Sequence, residues 1–128
     1  MASRVLRLGV VFGALTLTAA ARSTAADPEK GKVVFEKCAA CHALDETKSD
    51  GPTLRGIFGR KAASMEDYRY SPAMTRSGVV WNAETLDAYL ADPQAYIRGN
   101  RMSFVGISDK SERDDLIAYL EQATKPRD

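Results

Sequence analysis

Residues that bind soft metals or cycle protons are almost missing from this chain of 128 residues, which has one histidine and two cysteines. A structural zinc site needs four Cys or His ligands, and only three exist. The two cysteines, Cys38 and Cys41, are three positions apart. A disulfide between them would close a tiny loop and constrain little of the unfolded chain. A basic surplus is missing too. The formal charge of the whole chain is +1, and no basic run occurs, which argues against a nucleic-acid partner. Strand-like alternation of any length is absent, so the expected fold is mainly α. No apolar run is long enough for a membrane span. The longest, Leu8 to Ala20, has 13 residues, four of them Gly or Thr, against the roughly 18 needed.

That run does fit a different purpose. Arg4 and Arg7 precede it, and Ser23-Thr-Ala-Ala26 follows it as a run of small residues suited to cleavage. The layout predicts a signal peptide over residues 1–26, the alternative being an uncleaved anchor. No adjacent Arg-Arg pair precedes the run, so the general secretory route to the periplasm is expected. Removal leaves residues 27–128 as one domain. With the three arginines of the leader gone, 15 basic residues face 17 acidic ones, a net charge near −2. A chain of 102 residues buries only about 60–68% of its unfolded surface, so its core is marginal without help.

Both cysteines and the histidine fall in one run, Glu36-Lys-Cys-Ala-Ala-Cys-His-Ala-Leu-Asp45. A thioredoxin-like dithiol would sit beside a strand-helix-strand pattern. Here the preceding residues read as a helix instead, with Asp27 as N-cap, Pro28 at the first helical position, Glu29 in the first turn, and Val33 and Val34, extended by Phe35 and Lys37, in an apolar stripe. The remaining reading is C-x-x-C-H attachment of a c-type haem, one per chain. Two thiols hold one edge of the ring, and the next residue, His42, offers its imidazole to the iron.

The rest of the chain agrees. Residues 43–69 are rich in Gly, Pro, Ser, Lys and Asp with little periodicity. A structureless stretch that long suits a chain wrapped around a large flat ligand. Helix signals resume at Ser71-Pro72, at Asn82 before a face of Leu86, Tyr89 and Leu90, and at Asp92-Pro93, which Gly99-Asn100 ends. A last helix starts near Ser108 and carries Leu116, Ile117 and Leu120 at helical spacing.

Function turns on the sixth iron position. With no second His, bis-histidine ligation and a distal His for peroxide cleavage are both excluded. Three methionines remain beyond the leader: Met65, Met74 and Met102. Met65 lies in a charged stretch, and Met74 follows Pro72 on a short helix. Met102 lies in a loop after a Gly-Asn break, where a thioether can turn to iron; the other reading is a core-filling Met.

In order along the chain, EKGKVVFEKCAACH, GPTLRGIFGRK, YRYS, VVWNAETLDAYLADPQAYI, GNRMSFVGI and ERDDLIAYLEQAT resemble the class I cytochromes c, closest to the small soluble mitochondrial type and its bacterial relatives. The resemblance covers Glu29 to Thr124. It implies a small fold of helices and loops wrapped around one haem, with Cys38 and Cys41 attaching the haem and His42 and Met102 as iron ligands. Pro52 would accept the His42 ring N–H. Tyr70 and Trp81 would donate to a haem propionate, with Arg60 nearby to compensate its charge. Tyr89 would lie near the methionine sulfur, Phe104 would close that side against water, and Asn100 would reach a propionate. Gly31 and Phe35 would let the first helix cross the last against Leu116 and Tyr119.

The implied function is one-electron transport rather than enzymic bond chemistry. The donor would be a cytochrome bc-type complex and the acceptor a terminal oxidase, reached through short-lived contacts by a monomer without a small-molecule substrate. A photosynthetic reaction centre, a nitrite or peroxide reductase or a periplasmic dehydrogenase is the alternative partner. The rival functions are a gas-binding or peroxidatic haem protein with an open sixth site and a haem-bearing subunit fixed to one enzyme. Several positions depart from the family. Arg98, Asn100 and Arg101 replace Pro, Thr and Lys before the methionine, so the loop loses a stiffening proline. Met74 replaces an asparagine. Gln94, Ala95, Ser108 and Asp109 replace lysines of the exposed haem edge, leaving Lys37 and Arg101 and weaker steering onto acidic partners.

Overall fold

The computed structural model describes residues 25–126, which form five helices and a long irregular segment. The leader expected over residues 1–26 lies almost wholly outside them. The helices are α1 (Pro28–Ala39), α2 (Pro72–Arg76), α3 (Ala83–Ala91), α4 (Pro93–Tyr96) and α5 (Lys110–Ala123).

Each helix begins where a short polar side chain can take up orphan N–H groups. Asp27 accepts from Glu29 N, Ser71 from Met74 N, Asp92 from Ala95 N and Asp109 from Glu112 N. Asn82 and Thr85 bond reciprocally, each side chain to the other's backbone N–H, at 2.9 Å. Proline opens α1, α2 and α4, where its missing N–H costs nothing. The last helix starts at Lys110, two residues after the expected Ser108, because Asp109 is the residue whose side chain caps it.

The framework is the crossing of α1 on α5. Gly31 makes it: a Cβ there would stand 1.9 Å from the Asp115 carbonyl oxygen and 2.8 Å from Tyr119 Cβ. Val34 and Phe35 share that face, and the Phe35 and Tyr119 rings meet with centroids 5.7 Å apart. Val33, expected in the apolar stripe, is 65% exposed. Positions 31, 34, 35 and 38 follow the i, i+3, i+4, i+7 rule, which puts residue 33 on the far side. Buried Arg113 ties α5 to α3 by donating to Asp87 at 2.8 Å, and to the preceding loop by donating to the Ile107 and Ser108 carbonyls.

Residues 43–69 contain no helix, as expected of a wrapping segment. Backbone bonds pin it to the framework at two places. Gly56 N donates to Thr124 O at the end of α5, and Gly59 N and Ala62 N donate to Trp81 O and Val79 O. An isolated bridge, Lys61 with Val80, is the only strand-like pairing among the described residues.

Candidate haem-attachment site

Between α1, α3, α5 and the two loops lies a mostly apolar cavity of about 340 Å³. That volume falls in the range of sites for cofactors and small ligands, roughly 300–1,000 Å³. Its walls include Ile57, Leu86, Leu90, Leu116 and Leu120. Cys38, in the last turn of α1, faces it half-buried, and Cys41 is exposed at the rim. The helix ends with the Cys38 carbonyl accepting from both Cys41 N and His42 N, at 3.0 and 2.9 Å, which brings the three side chains to one tight turn. Burial pushes the Cys38 thiol up to about 11, against the opposing pull of Lys37.

His42 also lines the cavity. Its Nδ1 lies 2.8 Å from the Pro52 carbonyl. A carbonyl can only accept, so Nδ1 carries the proton and Nε2 keeps its lone pair for a metal. Gly51 makes that placement possible. A Cβ there would lie 2.7 Å from His42 Cε1 and 2.8 Å from Cys41 O, and Gly51 N donates to the same Cys41 oxygen at 2.7 Å. Sequence reasoning missed this residue, although a Gly immediately before the proposed Pro52 was a readable hint of close backbone approach.

Met102 lines the same cavity from the loop that joins α4 to α5. The Tyr89 hydroxyl lies 3.4 Å from its sulfur and 3.4 Å from Asn100 Oδ1, with one proton to share between them, and burial pushes that phenol up to about 12. Asn100 does not line the cavity. Its amide is spent inside the loop: Nδ2 donates to Pro93 O at 2.7 Å and Ile97 O at 2.9 Å, while Oδ1 accepts from Met102 N at 2.8 Å. Asn100 thus braces the methionine backbone. At the far end of the loop Ile107 N donates to Leu90 O, and Gly106 has φ +102 with Ala91 O 2.3 Å from where a Cβ would be. Phe104 and Met74 also face the cavity, both partly buried.

At the polar end stand Arg60, Tyr70 and Trp81. The Arg60 guanidinium donates to the Arg55 and Thr53 carbonyls at 2.8 and 2.7 Å, and no carboxylate of the described residues pairs with it. Burial lowers its pKa, with Tyr70 acting the other way. Burial also raises that of Tyr70, opposed by Arg60 and by the Met65 backbone N–H.

Three features suit this cavity to a haem. Its walls are apolar, two thiols stand with an imidazole at one edge, and a half-buried guanidinium without a counter-charge awaits an anion.

The family model for cytochrome c matches residues 28–124. The chain belongs to the class I cytochromes c. It is 45% identical over 98 residues to cytochrome c2 of Rhodoplanes tepidamans, covering 75% of this chain and 92% of the relative. To cytochrome c2 of Blastochloris viridis it is 39% identical over 116 residues, 88% and 91% of the two chains. The solved structure of cytochrome cH from Methylobacterium extorquens superposes with a TM-score of 0.72 at 41% identity, covering 75% of this chain and 98% of that one. As a cytochrome c, the chain is a haem-carrying electron carrier and not an enzyme. Cytochromes c hold their haem covalently, and Cys38 and Cys41 are the only cysteines available for it here.

Proposed function

We propose that this cytochrome c is an exported carrier whose iron is held between His42 Nε2 and the Met102 sulfur. The observation that carries this reading is that both side chains face one cavity, the imidazole with its Nδ1 at Pro52 O and the thioether beside the Tyr89 hydroxyl. The haem, once attached, supplies a one-electron iron centre. The chain's own residues do the rest. Cys38 and Cys41 attach the ring, and Arg60, with Tyr70 and Trp81, compensates and binds a propionate. The leucine and isoleucine walls exclude water, and so favour the less charged, reduced centre. With the same two residues holding the iron in both oxidation states, little of the chain would have to move.

The donor in this reading is a cytochrome bc-type complex and the acceptor a terminal oxidase or another periplasmic enzyme, met by a monomer through brief contacts. Steering onto them is weak. Lys37, one of two cations left at the haem edge, is paired with Glu112 at 2.8 Å, and Arg101 donates to the Arg69 carbonyl at 3.1 Å. Export through the general secretory route, with cleavage after Ala26, places the mature chain in the periplasm.

The test is the absorption spectrum of the oxidised holoprotein. A sulfur–iron charge-transfer band in the red is expected, together with slow carbon monoxide binding by the reduced form. Met102→Ala should abolish the band and admit carbon monoxide. A wild-type protein that already binds carbon monoxide readily would refute the ligand assignment.

A further inference from the structure

Asp115 lies on the buried face of α5, 8% exposed, and takes part in none of the ion pairs among the described residues. Arg113, the buried cation closest in sequence, is turned away to Asp87. The one hydrogen bond donated to Asp115 comes from across the α1–α5 seam, where the backbone nitrogen of Asp27 stands 2.7 Å from its Oδ1. A carboxylate taken out of water is costly unless a cation or several donors compensate it. One neutral amide, and the narrow contact with water that its other oxygen keeps, are little compensation.

We infer that Asp115 is a binding site for the α-ammonium group created when the leader is removed. The inference rests on the cleavage after Ala26 proposed above. A leader peptidase hydrolyses the Ala26–Asp27 bond with one water. The hydroxyl goes to the Ala26 carbonyl carbon, which leaves as a carboxylate, and the Asp27 nitrogen gains protons to become an ammonium. That nitrogen already stands at the carboxylate, so the pair forms without rearrangement. It is also the N-cap of α1, where the helix dipole alone would repel a cation. Asp115, the Asp27 carboxylate and Glu29 in the first turn reverse that local sign. The consequence is directional: α1 docks on α5 more firmly in the mature chain than in the precursor.

The experiment uses exported holoprotein with two defined starts. One begins at Asp27; the other carries Ala-Ala before Asp27, so that the nitrogen stays an amide. Each is made with Asp115 and with Asp115→Asn, which keeps the shape and an acceptor oxygen, and all four are unfolded in urea. The amide–carboxylate bond is charged on the acceptor side alone and the ammonium–carboxylate pair on both sides, so Asp115→Asn should raise the unfolding constant about 5-fold more in the Asp27-start protein. Equal effects in both starts would overturn the inference and leave the export reading standing. Mass spectrometry of the natural mature chain separates the two: a start other than Asp27 overturns the cleavage reading and this inference with it.

Discussion

Gly31→Ala inserts one methyl group where the structure has no room for it. The added carbon would sit 1.9 Å from the Asp115 carbonyl oxygen, 2.5 Å from its carbonyl carbon and 2.8 Å from Tyr119 Cβ. Unstrained carbon contacts lie near 3.5 Å, so the helices must part by roughly 1.5 Å. The obstacle is helix backbone, which cannot rotate aside as a side chain can. Separation loosens the seam at Val34, Phe35 and Leu116, the last fully buried. Overpacking costs about 1–3 kcal/mol, and partial loss of packing for those three residues adds about 2–3 more. The better helix propensity of alanine returns about 1 kcal/mol. A net loss of roughly 2–5 kcal/mol is therefore expected, a large part of the 5–15 kcal/mol typical of a domain. Urea unfolding of the oxidised holoprotein measures it, with Val33→Ala, 65% exposed on the opposite side of α1, as a control expected within about 0.5 kcal/mol. A loss below about 1 kcal/mol for Gly31→Ala would show that this crossing is not what sets the seam.

Three further outcomes are expected. Asn100→Ala leaves the Pro93 and Ile97 carbonyls and Met102 N without their partner, at about 2–3 kcal/mol, and should weaken the red charge-transfer band or speed carbon monoxide entry about 10-fold or more. Tyr89 is buried neutral with its folded pKa raised from 10.0 to about 12. Its contribution is complete below pH 10 and is lost as pH rises towards 12, about 2–3 kcal/mol in all, so denaturant unfolding of Tyr89→Phe should show a shallower decline over that window. Gly51→Ala puts a carbon 2.7 Å from His42 Cε1 and should displace the imidazole from Pro52. The shift is visible in the Soret spectrum and as a lower yield of haem-loaded protein.

Most helix starts were legible because their causes are short-range. Asp27, Ser71, Asn82 and Asp92 act on N–H groups two or three residues away, and proline limits its own φ. Val33 and Asn100 were harder. A pair of valines does not reveal which one faces α5 until Gly31 and Phe35 define the contact line. An asparagine beside a methionine does not reveal whether its amide turns to a ligand or to the carbonyls of Pro93 and Ile97. Gly51, Gly106 and Asp115 were missed altogether, since the atoms that constrain them belong to distant or oppositely turned backbone.

By itself the sequence determined a helical chain whose only two thiols and only imidazole share one tight turn, and a long stretch with no core of its own. It also carried, in the order of its motifs, membership of the cytochrome c family. The tertiary structure alone decided that Met102 faces the same cavity as His42, that Arg60 reaches it with no carboxylate of the described residues paired to it, and that Asp115 meets the N-cap of α1. Those are meetings between segments tens of residues apart, and packing, not local propensity, selects them.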